Sequence, residues 1–323
     1  MAVPTGTFQA HAAIGNREDL TDIIHDISPM NTPFMSNVAR SSASAVLHEW
    51  QTDSLASAAN NAQVEGDDAA TDTASPTTRF GNYCQLSWKV PRVSGTQRAV
   101  NSAGRRDEMS YQIAKRGREL KRDIETALTS NASGKAGDAA SARGLAGIGT
   151  WLWDNVNTDG TSSTTVAVAS GVPTTAPTAG TATTFTEADL KDVIKQCWDD
   201  GGDPGVVMLG SFNKQVASGF SGIGTLYRDA QPNGSLRPGS IIGAADVYVS
   251  DFGQHQIVAN RFMPQGDVYA LDMEYWKLAY LRPIQQEDLS KTGDSDRMMI
   301  LAEYTLEACN PSASGKRYTV TTS

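Results

Sequence analysis

NSAGRRDEMSYQIAKRGRELKRDIETALTSN, residues 101–131, is the longest stretch of this 323-residue chain with a clear helical period. Met109, Ile113, Gly117, Leu120, Ile124 and Leu128 follow at steps of three or four, which sets them on one face of a helix. The other faces carry Arg105, Arg106, Lys115, Arg116, Arg118, Lys121 and Arg122, with Glu119 and Glu125 interleaved. Asp107 and Glu108 fall in the first turn, where the helix dipole favours acids. A helix of roughly 25 residues runs about 37 Å, the width of a small domain. Something equally long has to lie along it.

Working outward toward the N-terminus, residues 80–93 (FGNYCQLSWKVPRV) and 46–54 (VLHEWQTDS) have the alternation of strands. Between them lies a polar tip of about 25 residues, longer than compact domains normally carry without structure. One reading is a hairpin-like loop that reaches a neighbouring molecule; the other is a disordered insertion. The aromatic residues on both flanks favour the ordered one. Residues 1–45 read as an arm: the period is poor, Asn16 can cap a short helix over 17–27, Ser28-Pro29 ends it, and Asn31-Thr-Pro-Phe-Met35 is an extended turn with two apolar anchors. An arm of this kind needs another surface to lie on.

Toward the C-terminus, the helix dissolves in the small, flexible run 130–149, and Trp151-Leu-Trp153 offers an anchor. Residues 157–184 are a Thr/Ser/Ala/Gly tract read as a surface insertion, with an edge strand within Thr165–Val168. A second unit opens at Phe185. Thr186 and Asp189 form a variant capping box, Phe185 and Leu190 a hydrophobic staple, and Gly201-Gly202 a stop. Strands at 206–209, 245–250, 256–260, 268–271 and 277–284 complete a mixed α/β unit of about 100 residues. Residues 298–310 and 316–320 alternate on either side of the turn at 311–315, which predicts a long β-hairpin returning to the first half of the chain. The fold class is therefore α+β, with the α/β unit inserted between the long helix and that hairpin.

Bulk properties exclude several function classes. No run of about 18 apolar residues exists, so no membrane span is expected. The N-terminus lacks a basic region followed by an apolar one, so no signal peptide is read. Cys84, Cys197 and Cys309 are odd in number and form no CxxC, which argues against a zinc knuckle or disulfide scaffold and fits a reduced, cytosolic site of synthesis. The net charge of −9 is the wrong sign for a dedicated DNA-binding protein, so contact with nucleic acid is expected to be local and weak.

No catalytic constellation is found. His11, His25, His48 and His255 have no metal-ligand spacing and read as surface or packing residues. There is no HExxH, GxSxG or Walker loop. Gly219–Gly224 (GFSGIG) lacks the lysine and preceding strand of a phosphate loop. Asp199, Asp200 and Asp203 lack the spacing and terminal Glu of a calcium loop and read as solvated acids at a helix end. No cofactor or metal is called for, and a structural protein is favoured over an enzyme.

The order of arm, strand-flanked loop, long helix, inserted unit and returning strands resembles the major capsid proteins of tailed bacteriophages and their HK97-like fold. The local resemblance lies in Asn31-Thr-Pro-Phe-Met35, His48-Glu-Trp-Gln-Thr-Asp53, Gly81-Asn-Tyr83, Val93-Ser-Gly-Thr-Gln97, Arg122-Asp-Ile-Glu125, Asp251-Phe-Gly253, Asn260-Arg261 and Glu303-Tyr-Thr-Leu306, which span nearly the whole chain. It implies an N-terminal arm (1–45), an extended loop with flanking strands (46–100), a spine helix and peripheral domain carrying the Thr/Ser/Gly-rich insertion (101–184), an axial domain (185–290) and a peripheral β-hairpin (291–323).

The resemblance further implies hexamers and pentamers tiling an icosahedral virion shell around double-stranded DNA, assembled in the bacterial cytoplasm, with arm and loop lying over neighbours. A portal and decoration proteins are implied partners. Interface candidates are Phe34, Asp53, Trp50 and Trp88, the two tryptophans being equally compatible with packing inside the loop's own sheet. Arg105, Arg106, Arg118 and Arg122 would face the genome or pair with acids of adjacent subunits, and the interleaved acids favour pairing. Because few residues precede the loop, a separate scaffolding protein is expected in place of a cleaved prosegment. The loop tip 55–78 has no lysine, so no lysine-mediated crosslink is expected there. Rival readings are an encapsulin-type compartment, another virion component such as a fibre or decoration protein, and a hydrolase lacking any visible catalytic group.

Overall fold

The computed structural model describes residues 28–66, 68, 74, 76–100, 107–158, 160–220 and 246–322. The helix expected at 17–27, and Arg105 and Arg106, lie outside the described residues.

The first described elements are short. Helix α1 (Pro33–Asn37) leads into strand β1 (Ala39–Ser42), and β2 (Leu47–Thr52) pairs antiparallel with β3 (Thr78–Tyr83), with Thr52 opposite Thr78. The expected strand over 80–93 is divided into β3, β4 (Gln85–Lys89) and β5 (Arg92–Ser94); Pro91, which cannot donate to a ladder, lies at the second break. A short helix α2 (Gly95–Ala99) follows, capped by Ser94 Oγ accepting from Gln97 N.

The long helix α3 spans Glu108–Thr129, 22 residues. Asp107 is its N-cap rather than a first-turn residue: its carboxylate accepts from Met109 N at 3.3 Å and Ser110 N at 3.1 Å. Met109, Leu120, Ile124 and Leu128 are buried as the period requires, and each of the last three contributes about 1.5–3 kcal/mol by leaving water. Glu125, read from sequence as part of a charged face, is fully buried.

Strand β14 lies along this helix. After α4 (Ile148–Trp151), β6 (Asn155–Asn157), and the two-residue strands β7 (Val168–Ala169) and β8 (Val172–Pro173), come α5 (Glu187–Asp199), β9 (Val206–Leu209), α6 (Ser211–Ser218), β10 (Val247–Ser250), β11 (Gly253–Ala259) and β12 (Asp267–Leu271). The chain ends in β13 (Trp276–Leu289), β14 (Ser295–Ala308) and β15 (Gly315–Tyr318). One sheet has the order β1-β13-β14-β4, with β5 also on β14; a second has the order β10-β11-β9-β12-β15-β6. Alternate residues of β14, Ile300, Ala302, Tyr304, Leu306 and Ala308, join Leu120, Ile124 and Leu128 in the main core.

Three sequence expectations are corrected here. The returning hairpin is not 298–310 with 316–320. Strand β14 pairs with β13, and β15 crosses into the other sheet, antiparallel to β12 and parallel to β6. Gly315 permits that entry: a Cβ there would lie 2.7 Å from Asn155 O and 2.9 Å from Cys197 Sγ. Consequently the strand expected at 277–284 in the inserted unit belongs to the sheet on the long helix. Finally, 31–35 is not extended and does not wait for a neighbour: α1 docks on α3, and β1 runs parallel to β13 from Ala39 opposite Lys277 to Ser42 opposite Tyr280.

The capping box of α5 forms as expected, Thr186 Oγ1 accepting from Asp189 N and Asp189 Oδ2 from Thr186 N. The Thr/Ser tract is more than a surface insertion. Gly171 O accepts from Gly81 N at 3.1 Å, and Val172 is buried, so β7–β8 braces β3. Gly171 has φ +80°, and a Cβ would sit 2.4 Å from Arg79 O, so both conformation and space require glycine there.

Candidate functional site

The feature most exposed to other molecules is the β2–β3 hairpin. Its stem is fixed by aromatic packing: Trp50 lies 5.4 Å from Trp151, and Phe80 meets Trp151 edge-on at 5.9 Å. Trp153 extends the cluster at 5.5 Å from Trp151. Offset and edge-to-face ring pairs add about 0.5–1.5 kcal/mol each beyond area burial. His48 Nε2 stands 3.2 Å from Glu307 Oε2, tying the stem to β14. Beyond Thr52 the support ends: Leu55 is 99% exposed and Val64 75%.

Polar junctions hold the frame beneath the hairpin. Glu125 accepts from Phe34 N at 2.9 Å, Met35 N at 2.8 Å and Asn260 Nδ2 at 2.7 Å. Thr32 makes no side-chain cap on α1, so a carboxylate 91 residues from Phe34 satisfies the orphan amides of that helix. Burial outweighs these hydrogen bonds and holds the Glu125 carboxyl above the usual range. Asn82 Nδ2 donates to Leu306 O and Ala146 O, joining the hairpin root to β14 and to the segment before α4. Glu303 accepts from Arg143 Nη2 at 2.5 Å and Arg282 Nε at 2.9 Å.

Glu307 accepts from Ser41 Oγ at 2.9 Å and lies 3.4 Å from Lys277 Nζ. Its hydrogen bond with His48 is the largest influence lowering its pKa, to about 2 against the cost of burial. At the meeting of the two sheets, Lys316 Nζ donates to Gly149 O at 2.5 Å and sits 4.4 Å over the Tyr318 ring; burial pushes its pKa down to about 8. Asn131 Nδ2 and Tyr269 OH both donate to Asp267, whose carboxyl burial pushes up.

The residues singled out from sequence divide accordingly. Phe34 is fully buried in its own core and offers no surface to a neighbour, a correction that follows from α1 docking on α3. Trp50 packs on Trp151 in its own protomer and stays half-buried. Trp88 is 56% exposed and lines a groove with Leu86, Gly137 and Arg143. Asp53 is exposed beside a groove that also holds Asp154 and Asp200. Arg118 is exposed, while the Arg122 guanidinium lies 5.3 Å over the Phe262 ring. The acids interleaved with these cations are partly used within the chain, Glu119 by Arg116 and Asp123 by Lys89.

Burial drives the Cys84 and Cys197 thiols up to about 11 and about 12, the opposite of an activated nucleophile. Both ring nitrogens of His255 are occupied, by Pro204 O and Ser250 Oγ, so it is a packing residue. Among the described residues there is no group of three His, Cys, Asp or Glu able to hold a metal, and no helix long and apolar enough to cross a membrane.

Sequence reasoning missed the buried junction residues Glu125 and Lys316. The available signal for Glu125 was its place within one of the eight quoted stretches. Three of those stretches, 31–35, 122–125 and 260–261, meet at its carboxylate.

The arrangement has known counterparts. The family model described as SU10 major capsid protein matches residues 3–321. The major capsid protein of Escherichia phage Phieco32 is 30% identical over a 352-residue alignment, covering 99% of this chain and 98% of that protein. Among solved structures, the cyanophage A-1(L) capsid asymmetric unit superposes with a TM-score of 0.72 at 14% identity, over 98% of this chain and 99% of that one. Gordonia phage Cozz gives 0.62 at 10% identity, over 99% and 97%. At those identities the structural likeness speaks for the fold.

Proposed function

The chain belongs to the SU10 major capsid protein family, and from that premise we propose how its parts build the shell. It is a major capsid protein of a tailed phage and forms the icosahedral head. The unit built on β9–β12, β15 and β6 with α5 and α6 is the axial domain, gathered around the centres of hexamers and pentamers. The unit built on α3 and the sheet β1-β13-β14-β4 is the peripheral domain. The hairpin 47–83 is the extended loop that lies over an adjacent subunit.

The observation that carries the loop's role is the contrast within one hairpin. Its stem is locked to the protomer by Trp151 and Glu307, while its tip exposes Leu55 and Val64 fully enough to have no packing of its own. Such a segment gains interface in a lattice without enlarging the protomer core. Trp88, Asp53 and Arg118 are accessible for the same purpose. Arg122 contributes through its guanidinium edge, its face being taken by Phe262.

The net charge of −9 suits a wall that contains DNA with weak, non-specific contact. The role is structural, without enzymatic activity, and assembly proceeds in the host cytoplasm with a separate scaffolding protein, a portal and decoration proteins. Electron microscopy of the expressed chain, with and without a scaffold, tests this. Closed shells with six- and five-fold capsomers are the expected result; monomers that assemble under no condition and turn over a small molecule would overturn it.

A further inference from the structure

We propose that residues 17–27 of the arm fold back into a groove beside α3 of their own chain and fill it before any second copy is met. The described structure begins at Ser28, and Thr32, Ser36 and Arg40 line that groove, so the arm leaves from the groove's own wall. The groove has a volume of about 470 Å³, with Met35, Tyr280 and Ile284 as its apolar part and Lys121 of α3 as a second cation. Arg40 and Lys121 are exposed, and among the described residues neither has an acidic partner. Nearby cations differ: Arg116 is held by Glu119 at 2.6 Å, and Lys89 by Asp123 at 2.7 Å.

The arm has the complementary composition. Leu20, Ile23, Ile24 and Ile27 have the spacing of one stripe on a helix. In that spacing Asp19 and Asp26, seven residues apart, fall along one edge of the stripe, with Glu18 and Asp22 beyond them. The stripe fits the apolar part of the groove, and the edge acids fit its two cations. The reach is sufficient. Leu20 to Ile27 would run about 12 Å as a helix, and the four linking residues 28–31 span at most about 14 Å. Ser28 precedes a proline and is biased out of the helical region, which lets the chain turn back. So short a tether sets a roughly millimolar effective concentration, which favours the chain's own groove over that of a second copy at micromolar concentration. A phosphate backbone would meet Arg40 and Lys121 but leave Met35 and Ile284 uncovered, so the arm is the better occupant. Any other molecule that uses the groove must first displace it.

Carbodiimide coupling of the full-length, unassembled chain tests this, with normal and heavy-nitrogen-labelled chains mixed in equal amounts. Lys121 should couple to Asp19 or Asp26, and every coupled peptide pair should be wholly light or wholly heavy. Amides of residues 20–27 should exchange about tenfold or more slowly than in an open chain. Ile23→Asp with Ile24→Asp should abolish both signals while the protomer still melts cooperatively. Arg40→Glu with Lys121→Glu should remove most of the protection, and adding Asp19→Lys and Asp26→Lys should restore it to within about threefold.

Coupled pairs of mixed label would show the arm on a second copy and overturn the proposal. So would unprotected amides without coupling, or protection that the groove variant leaves unchanged. Duplex DNA bound by the wild type and lost in Arg40→Glu with Lys121→Glu, with the arm unprotected, would assign the groove to nucleic acid instead. None of these readouts requires a shell to form, so they stand or fall apart from the assembly reading.

Discussion

Replacing Glu125 by alanine should destabilise the protomer by about 3 kcal/mol. Three donors lose their acceptor: Phe34 N, Met35 N and Asn260 Nδ2, all at 2.7–2.9 Å from a fully buried carboxylate. A buried donor left unsatisfied costs about 1–3 kcal/mol. Two of the three are backbone amides that no companion substitution can remove. Asn260 can reorient, its Nδ2 already lying 3.2 Å from Met208 Sδ, so its share is at the low end. Removing a carboxylate that burial disfavours returns part of the loss.

Glutamine is the sharper probe. Its oxygen in the Oε1 position keeps Phe34 N and Asn260, and its amide nitrogen confronts Met35 N, so the loss should be about 1–2 kcal/mol. Urea unfolding of the unassembled chain should place the alanine midpoint roughly 1 M below wild type. Burial raises the Glu125 pKa above 4.5, so its contribution is greatest in acid and declines as pH rises through the raised value. The wild-type advantage over glutamine should therefore narrow toward neutral pH. An alanine variant within about 0.5 kcal/mol of wild type, or a glutamine variant worse than alanine, would refute the reasoning.

Glu307 titrates in the opposite sense. Its pKa falls from 4.5 to about 2, so the stability it supplies is present above 4.5 and lost as pH drops toward 2. Wild type should lose up to about 3 kcal/mol relative to Glu307→Gln across that window, followed by fluorescence-monitored unfolding. Leu120→Asp places an unpaired charge in the main core and should cost more than about 4 kcal/mol, seen as loss of a cooperative melt; a normal melt would contradict the placement of that face. Deleting 56–77 should leave a soluble, folded protomer and abolish stable shells, because the stem contacts of Trp50, Phe80 and His48 lie outside the deletion. Pressure-resistant shells from that deletion would refute the loop's lattice role.

The local rules served well where one element decides its own fate. The period of α3, the capping box of α5 and the alternation of β14 were legible because each depends on neighbours three, four or two residues away. Pairing partners were not. Residues 316–320 read as the second strand of a hairpin with 298–310, which says nothing of burying Lys316 and Arg317, yet these are 1% and 3% exposed. Besides the adjacent Tyr318, their charges are met by Gly149 O for one and by Asn157 O and Asp189 for the other, partners from distant segments. Glu125 failed in the same way, since a glutamate among arginines on a helix looks solvated until an unrelated helix needs a cap. Of the interface candidates, Phe34 is turned into its own core, because α1 docks on α3. The polar composition of the tip and its unusual length were legible before any coordinates.

The crossing of β15 into the second sheet has a consequence for synthesis. This strand lies between β12 and β6, and its four residues are buried throughout. Until it emerges, β12 presents an open edge and β6 has no partner in that sheet. In a chain made from its N-terminus the inserted unit stays open until residues 315–318 arrive. A chain cut short before position 315 should therefore keep an open β12 edge and an unpaired β6, and fast hydrogen exchange of the β12 amides should show it.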